Sequence, residues 1–194
     1  MYKRSIDLSK IQSTFFLWGP RQAGKSLLLR HKFPEAHWID LLMSENFIRY
    51  QQAPSLLRQE IKQKPVTDWI VIDEIQKIPA LLDEVHWLIE NRNLKFALCG
   101  SSARKLKRGH ANLLGGRALR RELFGFTALE LGKDFDLERA LNRGLLPNHY
   151  LNENYADRLR SYCTDYLKEE IAAEGLSRNL PAFSTFLQAA SFSY

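Results

Sequence analysis

The stretch Thr14 to Arg30 reads TFFLWGPRQAGKSLLLR: an apolar run, a turn bounded by glycines, then a leucine-rich run. Within it Gly19, four further residues, and then Gly24, Lys25 and Ser26 fill the pattern GxxxxGK[ST]. No other feature narrows the possible folds as much, because the pattern works only between a buried strand and the start of a helix. A glycine-bounded turn lets successive backbone N–H groups converge on phosphate oxygens. Lys25 can reach terminal phosphates, and the Ser26 hydroxyl can ligate Mg²⁺. The helix carrying Leu27 to Leu29 adds the positive end of its dipole. Gly19, Pro20, Arg21, Gln22, Ala23, Gly24, Lys25 and Ser26 are therefore expected to hold the phosphates of a nucleoside triphosphate. Arg21 and Gln22 have two readings, phosphate contact or solvent.

The rest of the pattern agrees with that requirement. Five runs read as strands: Thr14 to Trp18, His37 to Leu41, Trp69 to Asp73, Lys95 to Gly100 and Ala118 to Phe124. Amphipathic segments start near Gly24, Ser44, Pro54, Pro79 and Ser101, with both prolines at first-turn positions, where a missing N–H does no harm. Runs as continuous as WIVID and FALCG suit strands buried on both faces of a parallel sheet. The expected fold class is α/β, a P-loop NTPase with a parallel five-stranded sheet flanked by helices and followed by a small helical region. Residues 1–126 are expected to form the core and 127–194 a helical lid or the start of a further domain. In the latter part, Tyr155 to Glu174 has helical apolar spacing, ending near Gly175, and a second helix starts near Asn179.

Further chemistry is placed by this frame. The run Trp69 to Ile72 ends in Asp73 and Glu74. An acid at the end of a buried strand beside the loop can hold Mg²⁺ through water, and a carboxylate one residue later can deprotonate an attacking water. A kinase has no need of that second acid, because its nucleophile is the acceptor substrate. After FALCG, Ser101 and Ser102 put a hydroxyl where it can sense a terminal phosphate or cap a helix. Arg104, Lys105, Lys107 and Arg108 read as a solvated helix face or a polyanion contact. Arg117 follows two glycines and precedes the last strand. It reads as an arginine finger across a subunit boundary, a structural ion pair or a DNA contact, with Arg120 and Arg121 as rivals.

Composition excludes several classes. With 194 residues, 45% of them hydrophobic, the chain can bury one full core. Its net charge of +6 is compatible with nucleic acid but does not require it. Cys99 and Cys163 form no pair motif, the five histidines have no metal-ligand spacing, and no run approaches 18 apolar residues. The expected compartment is a reducing cytoplasm, with no membrane association.

The ordered segments GPRQAGKS, WIVIDEIQKIP, ALCGSSARKL, LLGGRA and RGLLPNHYL resemble the predicted AAA+ ATPases of bacteria and archaea, over nearly the whole chain. The resemblance implies ATP and Mg²⁺ as ligands, Lys25 and Ser26 as the Walker A pair, and Asp73 and Glu74 as the Walker B pair. It further implies Ser101 or Ser102 as first sensor and Arg117 as the finger. Arg143, in NRGLLP, is the nominee for a second sensor. Family members are about twice as long, so the chain is expected to be an N-terminal half. Preference for ATP over GTP rests on the resemblance, since no guanine-reading NKxD motif occurs. The function it implies is Mg-dependent ATP hydrolysis, in a homo-oligomer or with a protein partner. The alternative is an ATP-gated binding module that contacts a protein or nucleic acid. A small-molecule phosphotransferase is the third reading, disfavoured by Glu74.

Overall fold

In the computed structural model, residues 2–63, 69–101, 106, 114–166 and 179–192 are described. The chain divides into two compact units, Met1–Phe135 and Asp136–Tyr194. The first contains β1 (Phe15–Trp18), α1 (Lys25–Lys32), β2 (His37–Asp40), α2 (Ser44–Gln52), α3 (Leu56–Gln63), β3 (Trp69–Asp73), α4 (Leu81–Arg92), β4 (Lys95–Gly100), β5 (Leu119–Glu122) and α5 (Ala128–Leu131). The strands form a five-stranded sheet in the order β2-β3-β4-β1-β5, every pair parallel. The α/β class and the five strands follow the sequence reading. The last strand is shorter than expected, although Leu123 N–H still donates to Trp18 O at 2.8 Å beyond its end.

Period-two alternation sends successive strand residues to opposite faces. Phe16, Trp18, Ile70, Ile72, Phe96 and Leu98 pack against Tyr50 of α2, Leu57 and Ile61 of α3, and Leu81, Leu82, Val85 and Leu88 of α4. Phe15, Leu17, Val71, Ala97 and Cys99 face the other way, onto Leu28 and Leu29 of α1 and the N-terminal Leu8 and Ile11. This two-sided burial is why the strands read as unbroken apolar runs. Each large side chain so buried contributes about 1.5–3 kcal/mol, against about 0–1 kcal/mol for a surface ion pair. The layered core therefore holds the sheet. β5 is the exception: its residues are mostly exposed, and Arg120 pairs with Glu122 at 2.5 Å. Charge on an edge strand discourages pairing with another sheet.

Helix boundaries have local causes. Gly24 caps α1 in the left-handed region, and Asn93 ends α4 in the same conformation. Pro54 and Pro79 stand two residues ahead of α3 and α4, and their carbonyls accept from Leu57 and Leu82 N–H at 3.1 and 3.0 Å. The helix expected from Ser101 lies mostly outside the described residues, although Leu106 is helical and buried.

The first unit reaches Phe135, past the Phe126 boundary read from composition. The reason is α5, opened by a reciprocal cap between Thr127 and Glu130. Glu130 binds back to the N-terminal segment through Ser5 N–H at 2.6 Å and Arg4 Nε at 3.1 Å.

The second unit is helical where it is described: α6 (Leu137–Arg143), α7 (Pro147–Tyr150), α8 (Tyr155–Ser161) and α9 (Leu180–Ser191). Asp136 caps α6, and the buried Tyr150 hydroxyl accepts the Asp136 N–H at 2.8 Å. Of the helix expected over Tyr155 to Glu174, the described part is α-helical over Tyr155–Ser161 and widens to a π-helical turn over Tyr162–Tyr166. The His149 ring meets Tyr162 edge-on at that point, 5.1 Å between centroids. Residues 167–178 lie outside the described residues.

Candidate nucleotide-binding site

In a parallel sheet the loops following the carboxyl ends of the strands share one edge, and ligands bind there. β1, β3 and β4 deliver Gly19, Asp73 and Gly100 to that edge. Gly19 runs so close to β5 that an added Cβ would overlap the Leu123 carbonyl oxygen and stand 2.9 Å from its carbon. The turn that follows takes positive φ at Gln22 (64°) and Gly24 (89°), which directs the chain into α1.

Lys25 is only 6% exposed, and its ammonium donates to Gly19 O at 2.7 Å and Pro20 O at 2.8 Å. Two neutral carbonyls orient this cation without neutralising it. The Ser26 hydroxyl donates to Asp73 Oδ2 at 2.6 Å, while Asp73 Oδ1 accepts Glu74 N–H at 3.0 Å. Residues 47 positions apart are thus in direct contact. Glu74 itself sits in the left-handed region (φ 59°, ψ 41°), a conformation uncommon for a non-glycine residue and often found at functional sites. The turn is tied down by Lys77, whose ammonium donates to Leu41 O at 2.9 Å and lies over the Phe47 ring.

Gly24, Lys25, Ser26, Leu27, Leu42 and Glu74, with Arg21 and Gln22, line a cavity of about 360 Å³. Both loop residues with open readings therefore face the site. A larger groove of about 890 Å³ opens near Leu8, Phe33, Trp69 and Lys95, at the start of β3 and β4, away from the loop. Size alone would choose it, but the convergent polar groups lie in the smaller cavity.

Three participants carried no signal in the sequence. Gln76, buried, donates from Nε2 to Glu74 Oε2 and to Ser101 Oγ, the latter at 3.1 Å. Arg4 donates to Ala23 O inside the loop at 2.8 Å and to Phe124 O and Gly125 O beyond β5. Cys99 lies under the site; burial pushes its thiol up, the adjacent Asp73 adds to the rise and Lys25 opposes it.

Ser101 reaches the site through Gln76, whereas Ser102 and the basic residues Arg104, Lys105, Lys107 and Arg108 lie outside the described residues. Arg117 is not brought to the loop. It precedes β5, and the register Phe15↔Leu119, Trp18↔Glu122 puts it at the opposite edge of the sheet, where its Nε donates to Glu90 Oε1 of α4. Its rival Arg120 is paired with Glu122, and Arg121 donates to Arg120 O. Arg143 is bound within the second unit, to Asn152 O at 3.1 Å and over the Tyr155 ring.

A phosphate loop between β1 and α1, with a serine–aspartate contact across a parallel sheet, defines a P-loop nucleotide-binding domain. The family model described as the AAA domain matches residues 12–132, and the chain belongs to that family, as an AAA-type P-loop ATPase domain. Similar solved structures include domain III of the replication initiation protein DnaA of Thermotoga maritima, 15% identical, TM-score 0.38, covering 82% of this chain and 78% of that one. The Walker-type ATPase paby2304 of Pyrococcus abyssi is 17% identical, TM-score 0.42, covering 91% and 69%. A structure of two coordinating Pif1 helicases unwinding forked double-stranded DNA is 14% identical, TM-score 0.41, covering 77% and 48%. No curated protein matches the chain. Among the described residues no helix is long and apolar enough to cross a membrane.

Proposed function

We propose that the first unit binds ATP with Mg²⁺ and hydrolyses it to ADP and phosphate. The observation that carries this reading is the 2.6 Å contact of Ser26 Oγ with Asp73 Oδ2, with Glu74 next in sequence facing the same cavity as Lys25. The donor set fits the metal: hydroxyl and carboxylate oxygens suit a hard cation. Among the described residues no cluster of three or more His, Cys, Asp and Glu forms a dedicated cage, and Mg²⁺ takes few protein ligands beside phosphate and water. Ser26 and Asp73 would hold it, and it would supply charge neutralisation at the β- and γ-phosphates.

Backbone N–H groups of the loop, which Pro20 alone lacks, bind the phosphates, and Lys25, held against its own loop, presents its ammonium to them. Glu74 accepts a proton from a water, whose oxygen bonds to the γ-phosphorus as the bond to the bridging oxygen breaks and ADP departs. Ser101 donates its hydroxyl to the terminal phosphate. The second reading, an ATP-gated module with little turnover that engages a protein or nucleic acid, differs in predicting binding without release of phosphate.

Glu74→Gln separates them. The amide still holds a water but cannot take its proton, so Mg·ATP affinity should stay near wild type while turnover falls by at least about 10². Equal turnover in the two proteins would remove Glu74 from the chemistry, and a wild type that binds ATP without releasing phosphate would establish the gated module.

A further inference from the structure

We infer that Gln76 is the positioning residue that joins phosphate sensing to the catalytic carboxylate, by bridging Ser101 and Glu74 through a single amide nitrogen. This rests on the assignment of Glu74 and Ser101 above and extends it to a residue to which no role was assigned.

A primary amide nitrogen has two hydrogens. In Gln76 both are committed, one to Glu74 Oε2 and one to Ser101 Oγ. Because Ser101 accepts in this bond, its own proton is left to donate to another acceptor. The Glu74 carboxylate also fixes which way the amide faces: the flipped amide would set oxygen against oxygen. On its other side, Gln76 Oε1 is buried and has no hydrogen-bond partner among the described residues. Burying an acceptor without a partner costs free energy. A methionine of similar length would fill the space without that cost. The hydrogen bonds of this side chain among the described residues are thus made at its donor end.

The surroundings keep that end in place. Gly100, immediately before Ser101, is where the amide passes closest to β4. A Cβ there would overlap Gln76 Oε1 and stand 2.6 Å from Trp18 Cζ3. Glu74 is held in its left-handed turn by Lys77 N–H donating to Glu74 O at 2.9 Å. The amide is thus clamped between a fixed turn and a fixed strand end. Displacing the Ser101 hydroxyl moves the shared nitrogen, and with it the carboxylate. Occupation of the third phosphate position at Ser101 is in this way transmitted to Glu74 before the water attacks the γ-phosphorus.

The test is a double-mutant cycle read by binding as well as by turnover. Wild type, Gln76→Met, Ser101→Ala and the double variant are titrated calorimetrically with Mg·ADP and with a non-hydrolysable Mg·ATP analogue. ADP affinity should be unchanged throughout, which certifies the loop and the fold. Preference for the triphosphate should drop about tenfold in each single variant and no further in the double, since either change breaks the same bridge. Gln76→Asn, one methylene too short to reach both partners, should behave like Gln76→Met and serves if the latter folds poorly. Turnover of Gln76→Met should fall at least tenfold. A Gln76 variant with wild-type ADP affinity and wild-type triphosphate preference, or single losses that multiply in the double, would overturn the inference. Failure of the parent reading looks different: Glu74→Gln hydrolyses like wild type, while the binding cycle still decides the role of Gln76.

Discussion

At the scale of single residues, the site is built by converting a flexible cation and a flexible hydroxyl into fixed ones. Lys25 loses most of its exposure to water and gains two carbonyls in return, so the rotamer entropy of a long side chain is spent before any ligand arrives. Lys25→Ala should therefore lower ATP affinity by about 10² or more, because it removes a preoriented, charge-assisted donor, while circular dichroism stays that of the wild type. Calorimetric titration checks it, and a folded variant with undiminished affinity would refute the role of Lys25. Ser26 and Asp73 act as one unit at 2.6 Å, a pairing legible in the sequence only because each belongs to a short motif of known spacing. Gln76 was not legible in that way. Its meaning comes from Ser101, 25 positions away, and no local pattern records such a partner.

At the scale of elements, the phosphate loop is held from outside by the N-terminal segment. Arg4 reaches the loop at Ala23 and the chain beyond β5, lies over the Phe126 ring at 5.1 Å, and pairs with Glu130 of α5. The two side chains are 6% and 5% exposed, so this pair is screened far less than the surface pairs elsewhere. Burial alone would raise the Glu130 carboxyl, but hydrogen bonds from Ser5 and Thr127 N–H and from Arg4 outweigh it and hold the group below its ordinary 4.5. A depressed carboxyl stabilises the fold fully above the unfolded value and loses that contribution as pH falls through the folded value. Glu130→Gln should thus cost roughly 1–3 kcal/mol at pH 7. The gap to wild type should narrow only once the pH drops below about 4.5. Urea unfolding at pH 7, 5 and 4 measures it, and a gap independent of pH would show that the carboxylate charge is not what α5 contributes.

At the scale of the whole molecule, the parallel register decides what Arg117 can do. The loop follows the carboxyl end of β1, and Arg117 precedes the amino end of β5, so a full strand of about 13 Å separates them within one chain. We propose that it serves the nucleotide of a second copy, releasing Glu90 to do so. Mixing Arg117→Ala with Glu74→Gln should then restore part of the turnover that each lacks alone, because one kind of interface pairs an intact Glu74 with an intact Arg117. An inactive mixture, with both variants folded, would leave Arg117 as the structural partner of Glu90. In the second unit Arg143 is engaged with Asn152, Glu153 and Tyr155 and holds that unit together.

The amino-acid sequence alone determined the sheet, the loop and the four polar residues of its two motifs. Each of these rests on local order: apolar runs buried on both faces, glycines at the positive φ of the turn, and an acid pair at a strand end. The tertiary structure alone decided that Gln76 joins Glu74 to Ser101, that Arg4 and Glu130 brace the loop and extend the first unit to Phe135, and that Arg117 faces away from its own nucleotide site. These depend on which strands are neighbours and in what register. That is a property of long-range packing, set by the summed burial of the whole core, and no window of neighbouring residues contains it.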